Sequence, residues 1–187
     1  MSTITGTRRI LASLGAAAAL ATTVLVAAPA AQAATAGACD LSPTLSTTLS
    51  VYNGSTGALD LPSDNEANGQ RVGVYTANQS PAQTWSFWGY CDGTYAISHG
   101  GAGKVLDLDS RSGAVQLWDT PGGWDGLNRP AGDWMPANQK WLMTDEDRGW
   151  YLIRNAATGQ CLKGNGIAQY TSVTSCNGND PAQRWYR

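Results

Sequence analysis

His99 is the only histidine in 187 residues, which removes metal sites built from several imidazoles. Few other residues could do chemistry. Asp107 and Asp109 share a strand face by the period of two, as the paired carboxylates of a small hydrolase would. The same two-residue separation on a short strand is ordinary surface decoration. His99 beside Gly100-Gly101 offers a lone base, and a Ser-His-Asp set would have to assemble from distant residues. No strained Gly-x-Ser-x-Gly turn is present to activate a serine. Gly100-Gly101-Ala102-Gly103-Lys104 has the glycines and lysine of a phosphate loop, but Val105 stands where Ser or Thr is needed, so it reads as a turn. Asp145-Glu146-Asp147 lacks the spaced oxygens of a calcium loop and reads as a solvated turn. The expectation is a non-enzyme with no metal and no cofactor.

Composition narrows the partners. Only 14% of residues are charged, and 12 Lys+Arg against 14 Asp+Glu give a net charge of −2, which argues against nucleic acid. A hydrophobic share of 42%, with 8 Trp, is enough for a core. The N-terminus reads as a secretory signal peptide over residues 1–33. Arg8-Arg9 form its basic part, Ile10 to Ala28 the apolar part, and Ala31-Gln32-Ala33 the small-residue cleavage site. The arginine pair also fits a twin-arginine signal. Cleavage before Ala34 would leave a secreted domain over residues 34–187. No later segment is apolar enough to insert into a membrane. Secretion places Cys39, Cys91, Cys161 and Cys176 in an oxidising setting, where an even count suggests two disulfides with three connectivities open.

The elements that must position any site are short and all-β. Gly, Pro, Asn, Asp and Ser punctuate the chain every 8–12 residues or so. Strands are expected over 45–52, 71–75, 84–88, 94–98, 104–108, 114–118, 140–144, 150–155, 160–163, 171–174 and 184–186. Three copies of Gln-x-Trp recur: Gln83-Thr84-Trp85, Gln139-Lys140-Trp141 and Gln183-Arg184-Trp185. Their spacing is unequal until an insertion of about 13 residues, within Pro121–Pro136, is removed; the period is then about 43 residues. Three such repeats use up the chain after residue 33.

Two further landmarks keep this period. Ala58-Leu59-Asp60-Leu61, Val105-Leu106-Asp107-Leu108 and Cys161-Leu162-Lys163-Gly164 lie upstream in each copy. Val-x-Val or Val-x-Leu followed by an aromatic, Tyr75 or Trp118, comes next in the first two. Cys161 and Cys176 fall where the first copy has Ala58 and Ala77 and the second Val105 and Thr120. A pair that is Cys/Cys in one repeat and small or apolar in the others marks two facing positions. Cys161 is therefore paired with Cys176, leaving Cys39 for Cys91.

Three Gln-x-Trp repeats in period with these landmarks resemble the ricin B-type lectins, also grouped as carbohydrate-binding modules. The resemblance covers essentially all of residues 34–187. It implies a β-trefoil: three four-stranded repeats with pseudo-threefold symmetry, here disulfide-stabilised. The Gln-x-Trp residues themselves read as core, because an indole buries a large area and the Gln amide can satisfy backbone groups.

The resemblance implies up to one shallow sugar pocket per repeat. In each, a carboxylate from the Leu-Asp turn accepts bonds from two hydroxyls, and an aromatic ring lies against the apolar face of the sugar. The second repeat matches at all four positions: Asp107 as carboxylate, Trp118 as platform, Gln116 and Asn138 as supporting amides. The first keeps Asp60 and Tyr75 but has Gly73 and Ala82 for the amides, with a longer loop over Ser63–Gly69. The third has Lys163 at the acid, Thr174 at the platform and Ala182 at the Asn, and a lysine accepts no hydrogen bond. Carbohydrate is the partner implied, of galactose type or a plant polysaccharide such as xylan. The alternative is a trefoil that binds a protein through the insertion, which carries Trp124, Asp125 and Trp134.

Overall fold

Alternating apolar residues and closely spaced turn formers leave the chain no way to bury its indoles except between strands. The computed structural model describes residues 45–49, 52–53, 57–90, 92–100, 103–121, 135–145 and 149–186. Among these are strands β1 (Leu45–Leu49), β2 (Tyr52–Asn53), β3 (Gly57–Asp60), β4 (Gly73–Thr76), β5 (Trp85–Gly89), β6 (Thr94–His99) and β7 (Lys104–Leu108). They are followed by β8 (Val115–Asp119), β9 (Trp141–Asp145), β10 (Tyr151–Asn155), β11 (Cys161–Lys163), β12 (Gln169–Tyr170), β13 (Ser172–Thr174) and β14 (Trp185–Tyr186).

One ring of strands runs β1–β5–β6–β9–β10–β14–β2, all antiparallel. Its two ends, β1 and β2, are successive strands in the chain. Three hairpins, β3/β4, β7/β8 and β11/β13, complete the repeats. A barrel with one hairpin per repeat is a β-trefoil with pseudo-threefold symmetry, as the sequence implies.

The Gln-x-Trp motif explains how hairpin and barrel are joined. Each Gln ends a single 3-10 turn, Pro81–Gln83, Ala137–Gln139 or Pro181–Gln183, and each Trp begins or enters a barrel strand. The indole N–H groups of Trp85, Trp141 and Trp185 donate to the carbonyls of Leu59, Leu106 and Leu162 at 3.0, 2.9 and 3.0 Å. The amides of Gln83, Gln139 and Gln183 reach the carbonyls of Thr76, Asp119 and Ser175 at the ends of the second hairpin strands. Each motif thus ties both strands of its hairpin to the barrel. The three indoles are fully buried with Leu59, Leu106, Leu117, Ile97, Ile153 and Leu162 in one core.

The second copy breaks the pattern at one atom. The Oε1 atoms of Gln83 and Gln183 accept from the N–H groups of Asn78 and Asn177, two residues past the strand carbonyl. The matching residue in the second repeat is Pro121, which has no N–H, and buried Gln139 Oε1 meets no donor among the described residues. The repeat departs from its siblings where the insertion begins.

One expectation changes. The Leu-Asp segments of the second and third repeats lie in the strands expected over 104–108 and 160–163, and Gly57–Asp60 is a strand where none was expected; each pairs along its length with the second hairpin strand, so the acid is presented from a strand and not from a turn. Of the strand expected over 45–52, the described parts are β1, which pairs with β5, and the first residue of β2, which pairs with β14 and β3.

Cys161 and Cys176 are joined, as the repeat register requires. The link closes a loop of sequence separation 15, which should contribute about 3 kcal/mol through the unfolded chain. Replacing both cysteines by Ala should therefore lower the unfolding free energy, read by denaturant titration, by that amount, and a Cys161→Ala, Cys176→Ala variant as stable as the parent would refute it. Cys39, Cys91, residues 1–33 and Trp124, Asp125 and Trp134 lie outside the described residues.

Candidate carbohydrate-binding clefts

The second-repeat cleft is built on hairpin β7/β8. Leu106 pairs with Leu117 and both face the core, so their neighbours point the other way. The register sets Asp107 opposite Gln116 and Val105 opposite Trp118. Asn138 arrives from the 3-10 turn before Trp141. Gln116 Nε2 donates to Asp107 Oδ1 at 3.0 Å, and Asn138 Nδ2 donates to Asp107 Oδ2 at 2.7 Å and to the Leu108 carbonyl at 3.2 Å. All four expected residues line one cleft of about 470 Å³, together with Asp109, Ser110 and Arg111, which the sequence reasoning did not assign to it.

Asp107 is 4% exposed, whereas the Trp118 indole is 42% exposed beside it. Burial pushes the Asp107 carboxyl above its usual value, against the opposing amide bonds of Gln116, Gln139 and Asn138; the nearby charge of Asp109 adds to the rise. A carboxylate offers about four acceptor positions. Amides take up to three of them and fix its orientation, and what remains can accept hydroxyl protons.

Asp109 is a different kind of acid. Its Oδ1 accepts from the Arg111 N–H at 3.1 Å, and its Oδ2 accepts from the Ser112 N–H at 3.3 Å and the Ser112 hydroxyl at 2.5 Å. These bonds, led by the Ser112 hydroxyl, hold its carboxyl below the usual value. It caps a turn with both oxygens, which answers the paired-carboxylate reading.

The first-repeat cleft uses the same register with other residues. Asp60 lies opposite Gly73, and Ala58 opposite Tyr75. Asp60 Oδ1 accepts from Gln83 Nε2 at 3.1 Å. Burial raises its carboxyl, the Gln83 bond and His99 oppose this, and Asp64 adds to it. Tyr75 is 48% exposed. Without the two amides the cleft is larger, about 560 Å³, and it is lined in part by Ala168, Gln169 and Tyr170 of the third repeat.

Its rim is held by His99, which is no free base. The ring is 1% exposed and packs edge-on against Trp85. Nε2 donates to the Pro81 carbonyl at 3.0 Å and lies 3.5 Å from Asp64 Oδ1; Nδ1 faces Glu66 Oε1 at 3.3 Å. Ser63 and Asp64 sit at φ 61° and 50°, a left-handed conformation that the clamp on Asp64 helps to hold. Gly100 beside it sits at φ 56°, in the left-handed region that favours glycine. The loop over 63–69 thus spends its acids on His99, and Asn68 bonds Asp119 Oδ2 at 2.6 Å beside the second cleft.

The third repeat has no equivalent. Cys161 pairs with Thr174, so Thr174 stands where the others have Tyr75 and Trp118. Lys163 replaces the acid and pairs with Asp180 at 3.0 Å, which lowers the Asp180 carboxyl.

A family model described as the ricin-type beta-trefoil lectin domain matches residues 47–185. No curated protein sequence matches the chain. Among solved structures, the designed threefold-symmetric protein ThreeFoil is similar with a TM-score of 0.61 at 21% identity, over 73% of this chain and 94% of that one. An exo-beta-1,3-galactanase from Clostridium thermocellum gives 0.62 at 19%, over 78% of this chain and 30% of that one. A Polyporus squamosus lectin bound to the epitope Neu5Aca2-6Galb1-4GlcNAc gives 0.55 at 16%, over 73% and 46%. The chain therefore spans nearly all of the designed trefoil and less than half of the other two. At these identities the likeness is one of fold. Taken with the family match across three repeats, it places this chain in the ricin-type β-trefoil lectin family, whose fold is a carbohydrate-binding one.

Proposed function

We propose that this protein is a secreted, non-catalytic lectin or stand-alone carbohydrate-binding module that captures sugar reversibly in the second-repeat cleft and also in the first. The observation that carries this is the Asp107 carboxylate, clamped by Gln116 and Asn138 with acceptor positions to spare beside a half-exposed indole. That pairing answers the two surfaces of a pyranose, hydroxyls on one side and C–H groups on the other. Galactose-type sugars are the first candidates, since the epitope of the fungal lectin and the name of the galactanase both contain galactose. Xylan is the second. The basic, apolar and small-residue order of residues 1–33 supports secretion. A single shallow site would bind near millimolar, about −4 kcal/mol, and two sites on one polysaccharide would add avidity.

The test is retention of the protein on galactose-agarose, insoluble xylan, chitin and cellulose. Retention on one matrix with release by the matching free sugar supports the reading. No retention on any of them contradicts it and turns attention to a protein partner.

Acidity gives a second check. Only the ionised carboxyl can accept from two hydroxyls, and burial raises the Asp107 carboxyl above 3.8. Affinity should be flat at neutral pH and fall as pH drops, starting above the ordinary carboxylate range. The folded state itself gains from protonation here, so its stability falls as pH rises through the same window. Sugar titrations between pH 7 and pH 4 would contradict the Asp107 role if affinity did not change.

A further inference from the structure

The amides missing from the first repeat are replaced by something the second repeat lacks. The second cleft has Asp107, Gln116 and Arg71 in a row across three strands, since Arg71 bridges to Gln116. In the first the same row reads Asp60, Gly73 and Tyr170, because β12 of the third repeat pairs with β4. Gly73 makes this docking work: a Cβ on it would lie 2.9 Å from the Gln169 carbonyl, so a glutamine like Gln116 has no room. The chain has exchanged a polar side chain for close approach by a neighbouring repeat.

Directly paired residues, and residues two apart on one strand, share a face. Tyr170 therefore stands on the same face as Tyr75, as a diagonal neighbour about 7–8 Å away between Cα atoms. Tyr170 is 47% exposed although the Arg71 guanidinium lies 4.5 Å from its ring centroid. Among the described residues, the first cleft thus presents two half-exposed aromatic rings beside Asp60, where the second presents one.

We propose that the first-repeat cleft takes two consecutive sugar units of a chain, one against Tyr75 beside Asp60 and the next against Tyr170. This rests on the carbohydrate-binding reading above and assigns Tyr170 as the residue that sets chain-length preference.

The test is calorimetric titration of the full chain with galactose and β-1,3-galactobiose, and with xylose and xylobiose. In an Asp107→Asn background, which leaves the first cleft alone, the disaccharide of the recognised sugar should bind about tenfold tighter than the monosaccharide. Tyr170→Ala should remove that gain, so that one and two units bind alike, while Tyr170→Phe should keep it. Equal affinity for one and two units, or a gain that survives Tyr170→Ala, would overturn the proposal while leaving sugar binding intact. Failure of the unsubstituted protein to bind any of the four sugars would overturn the galactose and xylan readings together with it.

Discussion

Asp107→Asn should weaken monosaccharide binding at the second cleft about 100-fold. A hydrogen bond to a charged group contributes about 1.5–3 kcal/mol, and the carboxylate is placed to accept two from the sugar. Losing the charge removes roughly 3 kcal/mol from a site that would bind with only about 4, so titration should show no saturation there. The side chain remains the same size, but Asn keeps one acceptor oxygen where Gln116 and Asn138 each bring a donor to a separate oxygen of Asp107. One of those bonds is lost, and relief from burying a charge offsets part of the cost. The folded fraction, read by denaturant titration, should therefore change far less than the affinity. Trp118→Ala gives the complementary result. An indole 42% exposed contributes little to stability, so binding should fall while the unfolding free energy stays within about 0.5 kcal/mol of the parent.

Trp141→Ala should have the largest effect on folding. Removing a fully buried Trp costs about 3–5 kcal/mol, a large share of the roughly 5–15 kcal/mol that holds a typical domain. It also strips the donor from the Leu106 carbonyl. Trp141→Phe separates the two effects: the ring is largely kept and the donor lost, for about 1–3 kcal/mol. Leu106 immediately precedes Asp107, so this bond also anchors the strand that presents the carboxylate. Denaturant midpoints should rank the parent above Trp141→Phe and that above Trp141→Ala. A Trp141→Ala variant within 1 kcal/mol of the parent would show that the Gln-x-Trp indoles are not the joints described here.

Much of this architecture is legible in the sequence because the repeats report on one another. Gln-x-Trp appears three times, so its burial and the offset of its partners can be read by comparing copies. The same comparison places Thr174 at the missing platform and joins Cys161 to Cys176. Asp107, Gln116, Trp118 and Asn138 meet because they sit at fixed registers on one hairpin and one adjoining turn.

What escapes the comparison is what the copies do not share. The role of Gly73 depends on a backbone that arrives from residues 169–170, far away in sequence, and no local pattern announces it. Tyr170 looks like any surface tyrosine until β12 pairs with β4. His99 likewise draws its partners from Asp64, Glu66 and Pro81, which only the fold brings together. Gly57–Asp60 has too little pattern of its own to be expected as a strand; pairing along its whole length with β4 makes it one.

The most direct measurement is the indole N–H resonance of Trp118, assigned by its disappearance in Trp118→Phe, as galactose or xylose is added. Binding between Asp107 and Trp118 predicts that this signal shifts and saturates with the sugar, and that it stays fixed in Asp107→Asn. Saturable sugar binding by the unsubstituted protein with the Trp118 signal unmoved would contradict the assignment of the second-repeat cleft.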